Sequence, residues 1–228
     1  MSNFPTKSMV VSLPPAQLAT DEPIRMAARL CLQFLRQATA IHSDGFKAYG
    51  VFTAPVGESP FRPVDVRFFD AHHNCRNSPQ HRPAFEAQGS YFRAHADAGF
   101  VVDGKELAQV ERAVAAAGQT IVAPFHSHRR QPPNFSAIDY RLHTPWFTWH
   151  LVLSLRNPAI PELQPFRVAK GLDEFGIHAG DEREGSEAAY QGANVWPLEL
   201  VVEGTDAELA AVAAALGVCG QAGVAGRR

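Results

Sequence analysis

The chain has 228 residues, 46% of them apolar, enough to bury a substantial core in one compact unit. Its 21 basic and 23 acidic residues are interleaved, so it has no basic stripe of the kind that nucleic-acid binding needs. Cys31, Cys75 and Cys219 are odd in number and scattered, which excludes a disulfide framework, and no apolar run or N-terminal layout suggests a membrane span or a secretory signal, so the expected location is the cytoplasm. Ten histidines are the one compositional anomaly.

Residues 1–19 are interrupted by prolines and read as a flexible leader. From Asp21 the pattern changes. Pro23 suits a first helical turn, and Ile24, Ala27, Ala28, Cys31, Phe34, Leu35 and Ala38 recur at helical spacing, predicting an amphipathic helix. Two strands follow, AYGVFTAPV and VDVRFFDA, joined by the Gly/Pro turn GESPFRP. The polar stretch 72–99, rich in His, Asn and Pro, is expected to be a long surface loop covering a site. GKELAQVERAVAAAGQ predicts a second helix that stops at Gly118. After it come the strands TIVAPF, WHLVLSL and PFRVA, then an acidic loop insertion at 171–194. PLELVVEG reads as a further strand, and TDAELAAVAAALG as a helix with Thr205 and Glu208 in capping-box positions and Gly217 at its end. The expected organisation is a leader over 1–19, one domain over 20–204 with insertions at 72–99 and 171–194, and a C-terminal helix and tail over 205–228. Alternating helices and strands place the chain in the mixed α/β class with one central sheet.

The stretch FHSHRRQPPNFSAID, Phe125 to Asp139, begins where the strand TIVAPF runs out, and sites on α/β sheets gather at strand ends. On a strand, residues two apart share a face, so His126 and His128 point together while Ser127 turns away. If SAID opens a helix, Ser136 and Asp139 also share a face, and the prolines of RRQPPNF can turn this second pair toward the first. Two histidines and an aspartate would give a zinc ion three protein ligands and one open position, the catalytic arrangement. The other histidines, His42, His72, His73, His81, His95, His143, His150 and His178, read as solvated loop residues, with His72, His73 and His81 candidates for the mouth of the site.

The pattern His-Ser-His, seven residues, Ser, two residues, Asp resembles the signature of the JAMM (MPN-plus) zinc isopeptidases, and the order of elements over residues 22–170 is similar too. The resemblance implies a cytidine-deaminase-like fold, a central mixed sheet flanked by helices. It implies Zn2+ on His126, His128 and Asp139, and Ser136 as a helper that binds the water or the developing oxyanion. It further implies hydrolysis after the C-terminal glycine of a ubiquitin-like protein, whose tail and conjugates would be the partners, with no nucleic acid and no membrane involved. Bacterial members serve ubiquitin-like pathways of antiphage defence and sulfur-carrier processing.

The resemblance also calls for a general-base glutamate two to three residues before a glycine matching Gly50. The sequence there is GFKAYGVF, so Ala48, or in the alternative register Lys47, stands at that position. Asp44 lies too far back, and Glu58 falls in the following turn. Three accounts are open. The chain is a natural scaffold that binds without cleaving, it recruits another base such as Glu58 or Glu86, or Ala48 replaces the glutamate in a base-less form. Arg129, where similar sequences carry proline, is a second departure. A zinc amidohydrolase acting on a small molecule is a further alternative.

Overall fold

A computed structural model describes residues 6–12, 22–87, 89–171 and 192–218. It is a mixed α/β fold with two mixed sheets flanked by helices. The strands, in chain order, are β1 (Lys7–Ser12), β2 (Ile24–Ala27), β3 (Tyr49–Pro55), β4 (Asp65–Phe68), β5 (Gln119–His128), β6 (Trp149–Ser154), β7 (Glu162–Val168), β8 (Val195–Pro197) and β9 (Leu200–Gly204). The helices are α1 (Ala28–Ser43), α2 (Arg82–Glu86), α3 (Ser90–Ala94), α4 (Gly104–Ala116), α5 (Ala137–Leu142) and α6 (Asp206–Ala215).

Six strands form the larger sheet in the order β4-β3-β5-β6-β7-β8, with β5 and β6 parallel and the remaining pairs antiparallel. The second sheet, β1-β9-β2, was not expected. Residues 24–27 have helical spacing but pair in parallel with β9, because the ladder from Ile24↔Leu200 to Ala27↔Glu203 satisfies their backbone groups. The helix therefore starts only at Ala28. The expected leader over 1–19 is likewise corrected at Lys7–Ser12, which pair antiparallel with β9. Residues 13–19, the acidic segment from 172 to 191, His178, Cys219 and the C-terminal tail lie outside the described residues. No helix among the described residues is long and apolar enough to cross a membrane.

One aromatic-rich core joins the two sheets. The apolar side of α1 buries Leu30, Cys31, Phe34, Leu35 and Ala38, and Phe34 meets Phe52, Phe68 and Phe125 at ring centroid distances of 5.3, 5.9 and 4.9 Å. Phe125 lies so close to β3 that only glycine fits opposite: a Cβ on Gly50 would fall 2.6 Å from Phe125 Cζ and 2.1 Å from the Arg67 carbonyl oxygen. Burial also pushes the Cys31 thiol up to about 12, so it behaves as a small apolar core group. At the C-terminal end, Thr205 and Glu208 close the capping box expected for α6.

The stretch 72–99, expected as a long surface loop or cover, is built largely of short helices. It contains α2 and α3 and two short 3-10 turns, and its Phe85, Phe92 and Ala98 pack on Ile138 of α5. The buried Arg76 fastens it, donating to Asn77 Oδ1 at 2.6 Å, to the Ala96 carbonyl at 3.0 Å and to the Phe92 carbonyl. Its guanidinium also lies over the Phe85 and Phe92 rings. This cover is thereby fixed to the helix that carries Asp139.

Candidate metal centre

β5 runs through His128, three residues beyond the expected strand end, so the alternation of β-strand side chains decides what reaches the site. Phe125 and Ser127 face α1 and the core, while His126 and His128 face the other side. The two imidazoles converge, Nε2 to Nε2, at 3.0 Å. Asp139 joins them from α5, with Oδ1 3.2 Å from His126 Nε2 and Oδ2 4.0 Å from His128 Nε2. The expected triad of His126, His128 and Asp139 is thus brought together, with its ligand atoms within 4.8 Å of one another.

Local hydrogen bonds explain why these atoms point where they do. Ser136 is the N-cap of α5, and Asp139 sits at its third position, forming a capping box. The Ser136 hydroxyl and backbone N–H both donate to Asp139 Oδ2, at 2.7 and 2.8 Å. Oδ2 is thereby occupied, and Oδ1 is left facing His126. Ser136 lies in the site, but its only hydroxyl hydrogen is donated to Asp139, so it first orients the carboxylate rather than an oxyanion. On the other side, His128 Nδ1 donates to the Pro132 carbonyl at 2.7 Å, which gives the proline loop its function and leaves Nε2 bare in the neutral ring.

His143 and His150 read as solvated loop residues, and the structure corrects this: both are buried in the site. His150 Nε2 lies 2.7 Å from His126 Nδ1, and His150 Nδ1 lies 3.2 Å from His143 Nδ1. His143 Nε2 donates to the Phe147 carbonyl at 2.8 Å. The sequence held one clue, a histidine inside the largely apolar strand WHLVLS, whose six residues are all buried. Burial holds the His126 and His143 rings down to about 4, the nearby Asp139 only partly opposing this for His126. Burial and then the neighbouring imidazoles lower His150 further.

Ala48 does not face the histidines. Its N–H donates to Ser127 Oγ at 2.8 Å and its carbonyl accepts from Ser127 N–H at 2.9 Å, so it lies opposite Ser127, on the core side, with 0% exposure. Lys47 and Tyr49, one residue to either side, face the histidines and line the cavity. Lys47 Nζ is 3.3 Å from Asp97 Oδ2, and although burial opposes ionisation of Asp97, Lys47 holds its carboxyl below the usual range.

None of the substitute bases reaches the cavity. Glu58 lies in the turn after β3, Glu86 pairs with Arg82 at 2.6 Å, and Asp44 borders a separate hollow behind α1. His72, His73 and His81 are also absent from the cavity wall; His72 packs on Phe46 and His73 pairs with Asp70. The cavity over the triad has a volume of about 490 Å³ and largely aromatic and aliphatic walls, including Tyr49, Phe69, Phe100, Leu107, Trp146 and Phe147.

The sequence matches no protein-family profile and no curated protein. Solved structures similar to this chain include a protein of Desulfitobacterium hafniense at 20% identity, covering 64% of this chain and 84% of that one with a TM-score of 0.46. A JAB1/MPN domain protein of Archaeoglobus fulgidus is similar at 12% identity, over 66% of this chain and 93% of that one, with a TM-score of 0.36. A protein of Salinibacter ruber is similar at 19% identity, over 75% and 97%, with a TM-score of 0.39. The roles of the site residues rest on this chain's own geometry.

The donor set fits a divalent transition metal. His128 carries its hydrogen on Nδ1, and with His126 in the same tautomer both Nε2 atoms present lone pairs to each other beside a carboxylate oxygen, an arrangement that a shared cation relieves. Zinc bonds of about 2.0–2.1 Å in a tetrahedron set donor atoms about 3.3 Å apart. The separations of 3.0 Å between the two Nε2 atoms and 3.2 Å from His126 Nε2 to Asp139 Oδ1 lie close to that value.

Proposed function

We propose that this chain is a JAMM-type metalloprotein that holds zinc on His126, His128 and Asp139 and engages the C-terminal tail of a ubiquitin-like protein in the cavity above them. The observation that carries this reading is the convergence of two imidazole nitrogens and one fixed carboxylate oxygen at the floor of a wide cavity. Zinc there would polarise a scissile amide carbonyl and acidify a water beside it. The chain's own residues supply the rest. Ser136 orients Asp139, the Pro132 carbonyl orients His128, and the aromatic walls exclude bulk water.

Turnover is limited by Lys47. A protonated lysine has three donors and no acceptor, so it cannot take the proton that a glutamate takes. Its Nζ is paired with Asp97 Oδ2 at 3.3 Å. The chain as it stands is therefore a tail-binding protein with at most weak hydrolysis. Metal analysis of the purified protein, combined with hydrolysis of a Gly-Gly-terminated ubiquitin-like protein carrying a fluorogenic C-terminal amide, tests the reading. One zinc per chain, weak wild-type turnover and zinc-dependent turnover by Lys47→Glu are expected, and a chain that binds no zinc would overturn it.

A second reading is favoured by the apolar walls, which suit a hydrophobic acyl group better than a glycine tail. In that case, Lys47→Glu cleaves small aromatic amides and leaves the ubiquitin-like substrate intact.

A further inference from the structure

Four groups on three different segments form one continuous line of hydrogen bonds. The Phe147 carbonyl lies 2.8 Å from His143 Nε2, His143 Nδ1 lies 3.2 Å from His150 Nδ1, and His150 Nε2 lies 2.7 Å from His126 Nδ1. A carbonyl only accepts, so the hydrogen on His143 must be on Nε2. The His143 and His150 rings are buried, and neither pairs with a carboxylate among the described residues, so each of these two carries a single ring hydrogen. His143 Nδ1 is then bare and accepts from His150 Nδ1–H. His150 Nε2 is bare in turn and accepts from His126 Nδ1–H. The remaining His126 nitrogen, Nε2, is left with its lone pair directed at His128 and Asp139.

We propose that His143 and His150 are positioning residues that fix His126 in its metal-ligating tautomer, the direction being set at the far end by the Phe147 carbonyl. The inference rests on the metal reading above. His128 reaches the same tautomer in one step, through Pro132, whereas His126 has no carbonyl against its Nδ1 and depends on the two intervening rings. Phe135 packs edge-on against His150, with ring centroids 5.2 Å apart, and Lys170 donates to the Tyr140, Arg141 and His143 carbonyls at 2.8–2.9 Å, so the line is held by packing on both sides. Residues that orient a ligand's second nitrogen typically change metal affinity by about 10–100-fold.

The test reads tautomers and affinity separately. In the metal-free wild type, long-range proton–nitrogen correlation spectra should show His126 with its hydrogen on Nδ1 and Nε2 bare. His143→Leu removes the acceptor of His150 Nδ1–H, and the Nε2–H form of His126 should then appear. Zinc affinity, measured by competition with a chromophoric chelator, should fall by about 10–100-fold in the same variant. His150→Gln keeps an amide oxygen that accepts from His126 and should stay close to wild type. A wild type that binds zinc while His143→Leu leaves both tautomer and affinity unchanged overturns the relay alone. A wild type that binds no zinc overturns the metal reading and the relay with it. If His143→Leu does not fold, the wild-type spectrum decides, because an Nε2–H tautomer of His126 there contradicts the proposal.

Discussion

Ala48 and Ser127 face each other across β3 and β5, bonded by the Ala48 N–H to Ser127 Oγ at 2.8 Å and by the Ser127 N–H to the Ala48 carbonyl at 2.9 Å. This pair sets the register of the whole site. Ser127 turns away from the metal-binding face, so Ala48 does too, and Lys47 is the residue on the side of His128.

The register makes opposite predictions for two neighbouring substitutions. Lys47→Glu should raise zinc-dependent hydrolysis by about 10²–10⁴-fold, the usual contribution of a positioned base. Ala48→Glu should bury an unpaired carboxylate beside Phe52 and Phe125 and cost about 3–5 kcal/mol, read from the urea midpoint. A folded, active Ala48→Glu protein next to an inactive Lys47→Glu protein would show that the register is wrong.

Ser136 links the fold of α5 to the ligand set. Ser136→Ala removes the N-cap and one of the two donors that hold Asp139 Oδ2. Stability should fall by about 1 kcal/mol and zinc affinity by about 10–100-fold. Ser136→Thr keeps the hydroxyl and should recover both. Affinity that survives in Ser136→Ala would mean that the backbone N–H alone positions the carboxylate.

The parts of the site that were legible in the sequence are those set by local periodicity. The two-residue repeat put His126 and His128 on one face, and the three-residue spacing of Ser136 and Asp139 brought that pair together at a helix start. Both depend on backbone geometry within a few residues. His143 and His150 were not legible because they reach His126 only through the parallel pairing of β5 with β6, which no local pattern encodes. The second sheet was hidden for the same reason: β1 and β2 pair with β9, more than 170 residues away in the chain. The sequence left Ala48 and Lys47 as alternative registers, and only the pairing of Ala48 with Ser127 shows which of them faces the histidines, because one residue along a strand separates the site from the core.

Acid should unfold the metal-free protein over a window set by its buried imidazoles. His126 and His143 are pushed from an ordinary value of 6.5 down to about 4, and His150 lies below its ordinary value as well. The unfolded chain therefore binds more protons than the folded one between these limits. Stability is complete above pH 6.5 and is lost as pH falls toward 4, by about 1.4 kcal/mol per pH unit for each ring. Urea midpoints measured from pH 7.5 to 4.5 should fall accordingly, and His143→Gln should reduce the slope by about one proton's worth. A flat profile would mean that these rings are solvated in solution.

Gly50 tests whether the close approach of Phe125 to β3 is obligatory. A methyl group there meets the Arg67 carbonyl oxygen at 2.1 Å and Phe125 Cζ at 2.6 Å, and both distances are shorter than any real carbon contact. Gly50→Ala should therefore cost about 3 kcal/mol or more, because the ladder between β3 and β4 must open or the ring must leave its place against Phe34. The two clashes can be separated. Phe125→Leu in the same chain relieves the ring contact but not the backbone one, so the double variant should recover only part of the loss beyond the cost of Phe125→Leu itself, measured as a coupling energy from urea midpoints. Full recovery would place all of the strain in the ring. No coupling would show that the strands shift as a body, and zinc affinity should then fall as well, since β5, which carries His126 and His128, is paired with β3.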